Sequence, residues 1–278
     1  MHELEVDEPA PGLLVRPDEP TGVGVLLMAG SSGRIDDQTA RFLGRHGAHV
    51  LALRYFGGPR QLPGVCELPL ETFAAGLDRL EQEPVERLVM MGLSKGAEAA
   101  LLLAVRDRRP HLVVAQAPTP WVWANVGPGA DGETRPQRSS WTWRGEPLPF
   151  IPYDDSWEPP EPEPPYSFVG QYRQSLDTYA DARDAARIPV EQITADLVLV
   201  AGGDDQVWPS VDFAEEITRT RRRHGRETVV VTVAEAGHTP IFPDTEPPPP
   251  SAHLVRGGTE AADRELGAAA WDRLRSLL

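Results

Sequence analysis

Short apolar runs along the chain alternate with longer stretches whose apolar residues recur at mixed spacings of three and four. The runs are Val23 to Ala29, His49 to Tyr55, Arg87 to Met91, Leu112 to Ala117, Leu197 to Ala201 and Thr228 to Val233. They lack polar alternation, which predicts strands buried on both faces. The stretches 37–46, 70–82, 95–106 and 211–223 predict helices, and 261–278 reads as a closing helix. Strand–helix alternation of this kind predicts a parallel sheet covered by helices.

One stretch breaks the rhythm. Residues 118–165 hold 12 of the 29 prolines and five of the seven tryptophans: Trp121, Trp123, Trp141, Trp143 and Trp157. Proline at that density excludes regular helix and central strand. The tryptophans argue against disorder, which is poor in aromatics. The stretch therefore reads as an ordered, irregular excursion between two strands. It is either a surface loop packing its own aromatics or a cap over a cleft. Extended to residue 190, it is the expected cap insertion within a single domain, 1–278. The Pro247–Pro250 run reads as a stiff surface connector.

Charge narrows the partners. With 27 basic and 42 acidic side chains the net charge is −15. Such a chain repels nucleic acid and anionic membrane, so neither is expected to bind. The opening segment, MHELEVDEPAPG, has neither the basic nor the apolar region of a signal peptide, and no run of ~20 apolar residues could span a bilayer. A cytoplasmic protein is the expectation. The single cysteine, Cys66, cannot form an internal disulfide and reads as a free structural thiol. His46 and His49 lack an evident third ligand and no phosphate-binding P-loop pattern occurs, so neither metal nor cofactor is expected. The basic cluster Arg219, Arg221, Arg222, Arg223 and Arg226 reads as a solvated helix end, complementing the helix dipole.

The chemistry centres on Gly92-x-Ser94-x-Gly96. The pattern alone is weak, but here it follows an apolar strand and opens an alanine-rich helix, as a nucleophile elbow requires. Such a turn holds the serine in a strained conformation at the sheet's C-terminal edge, above a helix N-terminus. A hydroxyl needs a base and an orienting acid. These should follow in the order serine, acid, histidine, each after a late strand. The run ending at Ala201 leads into Gly202-Gly203-Asp204-Asp205; Asp205 is favoured as the acid, with Asp204 in reserve. The run ending at Val233 leads into Ala234-Glu235-Ala236-Gly237-His238, which makes His238 the base. An oxyanion needs two backbone donors. The N–H of Lys95 is expected to be one, and the loop from Ala29 to Gly33, at Ser31, the other. Trp141, Trp143 or both are expected to face the cleft and bind the substrate.

Segments spread from Gly22 to Leu278 carry a wider likeness: GVLLMAGSSGRIDDQTARFLGRHGAHVLALRYFG, GLSKGAEAALLLA, WTWRGEPLPFIP, IPVEQITADLVLVAGGDDQVWPS and EAGHTPIFP. They resemble the C-terminal catalytic domain shared by acyl-CoA thioesterases and bile acid-CoA:amino acid N-acyltransferases. That is a branch of the α/β-hydrolases near the dienelactone hydrolases. The resemblance implies the α/β-hydrolase fold and Ser94, Asp205 and His238 as a triad. Longer members carry an immunoglobulin-like N-terminal domain, whereas about 20 residues precede the first predicted strand here, so that domain is expected to be missing. The transferases place cysteine at the nucleophile, and Ser94 tilts the expectation from amino acid conjugation to hydrolysis. The expected activity is a serine hydrolase acting on a small-molecule acyl thioester or ester. The alternatives are an acyltransferase, lactonase or cyclase with the same triad, or a catalytically weak binding protein on a hydrolase fold.

Overall fold

The computed structural model describes residues 1–277. In chain order the elements are β1 (His2–Val6), β2 (Gly12–Arg16), β3 (Val23–Met28), α1 (Asp37–Arg45), β4 (His49–Leu53), β5 (Leu68–Pro69), α2 (Glu71–Leu80), β6 (Arg87–Leu93), α3 (Lys95–Ala104) and β7 (Pro110–Gln116). There follow β8 (Trp141–Trp143), β9 (Glu146–Pro147), α4 (Val169–Thr178), α5 (Arg183–Ala186), β10 (Asp196–Gly202), α6 (Ser210–Arg223), β11 (Val229–Val233) and α7 (Glu260–Leu274). Every predicted apolar run is a strand and every predicted helix is present; Leu278, the last residue of the expected closing helix, lies outside the described residues.

The main sheet has the order β1-β2-β4-β3-β6-β7-β10-β11. Its six central and late strands are parallel, while β2 runs antiparallel to β4 and pairs with β1 as a hairpin. That hairpin is a correction: the strand expected to be first is the third. The signals were masked by Pro9, Pro11 and Pro17 around GLLVR and by the charges in HELEV. β3 and β4 are buried along their whole length. β11 is the sheet's edge, so its Val229 and Val230 are 41% exposed rather than buried on both faces.

Helices cover both faces. Phe42 of α1 and Leu266 and Ala270 of α7 pack on one side; Leu77 of α2, Leu101 of α3 and Ile217 of α6 pack on the other. The chain leaves β3 toward β4, then returns to place β6 on β3's other flank. That reversal opens a crevice beyond the carboxyl ends of β3 and β6, where open parallel sheets bind ligands.

The proline-rich excursion is ordered. β8 pairs with β5 and β9 in a small second sheet, and single bridges join Trp121 to Arg187 and Trp123 to Ile151. The segment returns through a bridge between Tyr166 and Leu254 into α4. The basic helix end is also corrected in part. Arg221 is buried, and its guanidinium donates to the carbonyls of Val190 and Ile193 at 2.9 and 3.1 Å, tying α6 to the segment before β10. Among the described residues no helix is long and apolar enough to cross a membrane.

Candidate active site

Ser94 stands between β6 and α3 with φ 56° and ψ −117°. For a residue with a Cβ this backbone is strained, and the surroundings must hold it there. Two glycines make that possible. A Cβ on Gly92 would collide with the carbonyl of Gly96, and a Cβ on Gly96 with that of Met28. Only bare backbone lets β6, α3 and β3 converge at this point. The Ser94 N–H is anchored on the Gln116 carbonyl at 2.9 Å, so the turn is also fixed to β7.

The expected acid and base, Asp205 and His238, lie in the loops that follow β10 and β11. Asp205 and His238 are both buried, and His238 Nδ1 lies 2.8 Å from Asp205 Oδ2. The other carboxylate oxygen of Asp205 accepts the backbone N–H groups of Val207 and Trp208, at 2.8 and 3.2 Å. This second grip fixes the carboxylate plane before it meets the imidazole. The neighbouring Asp204 is exposed; it accepts from the Gly258 N–H and from Gln206 Nε2. Geometry thus separates two aspartates that the sequence left adjacent. The His238 N–H donates to the Arg256 carbonyl at 2.9 Å, and the Trp208 indole packs edge-on to the imidazole at 5.8 Å between ring centroids. Asp205→Asn is accordingly expected to lower turnover about 10⁴-fold by holding His238 in the wrong tautomer, while Asp204→Asn costs little. Steady-state rates of the two variants decide it, and equal losses would reverse the assignment.

Lys95 is the first residue of α3, where helix geometry leaves the backbone N–H free for a ligand. Gly30 lies beside Ser94: a Cβ built on it would touch the Cβ of Ser94 at 3.4 Å. The Tyr55 hydroxyl donates to the carbonyls of Ala29 and Gly30, at 2.7 and 3.1 Å, and so holds this loop. Ser31 follows in an exposed turn next to the crevice.

The side chain of Lys95 has a separate place that the sequence did not signal. It is buried and meets Glu98 Oε2 at 2.9 Å, Ser140 Oγ at 2.8 Å and the Ala124 carbonyl at 3.3 Å. Glu98 Oε1 accepts from the Trp123 N–H and from Trp141 Nε1, at 3.0 and 2.9 Å. Burial pushes the Glu98 carboxyl up and the Lys95 ammonium down from their ordinary ranges, and each partner's charge opposes the shift. The pair rivets the nucleophile helix to the proline-rich excursion.

The tryptophan expectation fails at both positions. Trp141 has 0% exposure, bonds to Glu98 and packs against Tyr55 and Phe73. Trp143 sits under the Arg106 guanidinium at 5.7 Å, just past the C-terminal end of α3. Ser94 is at the opposite end of that helix, and ten residues of helix span about 15 Å. The cause is pairing: β8 joins β5, which turns both indoles toward the α2–α3 core. The aromatics nearer the crevice are others. Trp123, Tyr172, Trp208 and Phe213 form a buried cluster that also packs Trp121 and Leu93, the residue before Ser94.

A strained serine above a helix N-terminus, with a buried, hydrogen-bonded Asp–His pair after two late strands of a mostly parallel sheet, defines an α/β-hydrolase fold. Solved structures agree on that fold. A putative dienelactone hydrolase from Klebsiella pneumoniae subsp. pneumoniae superposes with a TM-score of 0.55 at 13% identity, covering 99% of this chain and 96% of that one. A Pyrococcus furiosus esterase superposes at 0.52 and 13%, covering 84% and 82%. The family described as BAAT / Acyl-CoA thioester hydrolase C terminal matches residues 68–252, and the chain belongs to it. Human acyl-coenzyme A thioesterase 6 is 25% identical, over 95% of this chain and 61% of its own length. Human acyl-coenzyme A thioesterase 1 is 26% identical, over 95% and 62%. The chain thus spans about six-tenths of the length of these relatives.

Proposed function

We propose that the protein is a serine hydrolase that cleaves an acyl thioester, of the acyl-CoA kind, through an acyl-enzyme on Ser94. The observation that carries this reading is the buried Asp205–His238 hydrogen bond at the sheet edge where Ser94 is held at positive φ. Family membership and the thioesterase relatives favour a thioester over a simple ester.

In this mechanism Ser94 Oγ attacks the carbonyl carbon while His238 Nε2 takes its proton. Asp205 holds Nδ1–H and stabilises the imidazolium. The N–H groups of Lys95 and Ser31 receive the developing oxyanion. Collapse of the tetrahedral adduct breaks the C–S bond, and His238 returns the proton to the leaving sulfur. Water then enters, His238 takes one of its protons, and the second adduct breaks to free the acid and restore Ser94. The acyl part lies against Leu93 and Trp121, partly exposed members of the aromatic cluster, which the buried Trp208 and Phe213 hold in place. Residues 118–190 form the cap of that cleft.

The test is a turnover screen of acyl-CoA thioesters of graded chain length beside simple esters, with Ser94→Ala as the blank. The reading expects thioesters to be turned over many times per enzyme and Ser94→Ala to stay at the background rate. Single-turnover labelling without further hydrolysis would instead support a binding protein on a hydrolase fold.

A further inference from the structure

Three backbone segments meet behind His238, and one residue of α7 clasps the loop that carries it. The Gly237 N–H donates to Asp263 Oδ1 at 2.6 Å, just before the histidine. The Ile241 N–H donates to the Asp263 main-chain carbonyl at 3.0 Å, just after it. Asp263 is itself held in the first turns of α7, whose N-cap, Thr259, accepts from the Ala262 N–H. The fit is close: a Cβ on Gly237 would collide with the Gly257 carbonyl, and a Cβ on Gly258 would strike both the Gly237 nitrogen and the Asp263 carboxylate. Glycine at these positions lets α7 and the histidine loop come together.

We propose that Asp263 is a positioning residue for the catalytic base: its carboxylate and its main-chain carbonyl clasp the His238 loop on both sides of the histidine. The proposal rests on His238 being the base of the proposed hydrolase. Asp205 binds Nδ1, and Asp204 is turned to Gly258 and Gln206. The Arg256 guanidinium donates away, to the Pro249 carbonyl, while Arg264 is turned to Glu260 and the Thr245 carbonyl. Tyr172 packs on the far side of Trp208. On the α7 side the Asp263 carboxylate accepts from the Gly237 N–H, one residue before the histidine. Burial first, and then the charges of Asp204 and Asp205, push its carboxyl up from the usual range, while the Gly237 N–H and His238 draw it down.

Two variants separate the carboxylate's hydrogen bond from its charge. Asp263→Asn keeps an oxygen for the Gly237 N–H and removes the charge; Asp263→Ala removes both. The first readout is the NMR signals of the His238 imidazole at one fixed pH, assigned by their loss in His238→Gln. The second is the rate of Ser94 labelling by a fluorophosphonate. Asp263→Ala is expected to displace the imidazole signals from their wild-type positions, and Asp263→Asn, which keeps an acceptor for the Gly237 N–H, to leave them close to those positions. The alanine variant should also lose roughly tenfold in the labelling rate, most of which asparagine restores, because only alanine lets the loop shift. Lower melting temperatures with unmoved imidazole signals and an unmoved labelling rate would make Asp263 merely structural and overturn the proposal. Wild-type protein that does not label at Ser94 would sink the hydrolase reading instead, and the imidazole signals would still decide whether Asp263 positions His238.

Discussion

Ser94→Ala is expected to lower kcat/KM for an acyl thioester by about four to six orders of magnitude, and His238→Ala by a similar amount. Neither should unfold the protein. Both side chains lie at the carboxyl edge of the sheet rather than among the residues that join sheet to helices. The loss follows from the chemistry of the hydroxyl. Without His238 the Ser94 proton has no acceptor, and without Ser94 the imidazole has nothing to activate except water. Members of such a unit fail together, so the double variant should be little worse than either single one. The donors near Lys95 and Ser31 remain in all three variants, so a residual acceleration over the uncatalysed reaction should survive. Rates of the two singles and the double, measured on one thioester, check this. Losses that multiply would mean that Ser94 and His238 act in separate steps.

The largest expected effect on stability lies one helical turn away. Glu98→Ala strands the Lys95 ammonium, buried with 1% of its side chain exposed, and takes the acceptor from Trp123 N–H and Trp141 Nε1. Breaking one side of a buried pair costs about 3–5 kcal/mol, most of it from the charge left behind. Urea unfolding of the variant should show that loss as a lower midpoint with an unchanged slope. Replacing the pair together, as Lys95→Met with Glu98→Leu, should recover only the part due to the stranded charge, because the Trp123 N–H and Trp141 Nε1 still lack their acceptor. If Glu98→Ala unfolds at the wild-type midpoint, the pair does not fasten the excursion to α3. The two predictions separate cleanly: the first concerns turnover at constant stability, the second stability at the foot of the same helix.

The parts of this molecule that were legible in the sequence share one property: their signal is local. β3 and β4 are continuous apolar runs because helices cover both their faces, and the elbow is visible because steric crowding demands Gly92 and Gly96 at fixed offsets. His238 is legible because it directly follows a late strand and its glycine. What stayed hidden depends on long-range pairing. The β1–β2 hairpin looks like a polar leader until it is set against β4. Trp141 and Trp143 looked like cleft walls because composition marks a tryptophan without its direction, and β8's partner decides the direction. Asp204 and Asp205 are equivalent as letters and are told apart only by where His238 arrives. Glu98 had a faint local signal, an acid three residues after a lysine on an otherwise apolar helix face. Asp263 had none, since its contact with Gly237 is made across the fold.

The acyl-enzyme itself is the central claim, and mass mapping after a rapid quench tests it most directly. The protein is mixed with an acyl-CoA thioester, quenched in acid within a turnover, and digested with trypsin. Cleavage at Arg87 and Lys95 releases the peptide Leu88–Lys95, which contains Ser94 as its one hydroxyl side chain. The account predicts the mass of one acyl group on that peptide, present in wild type and absent in Ser94→Ala. Thioester turnover with an unmodified Leu88–Lys95 peptide, or an acyl group found on Cys66 instead, would contradict it.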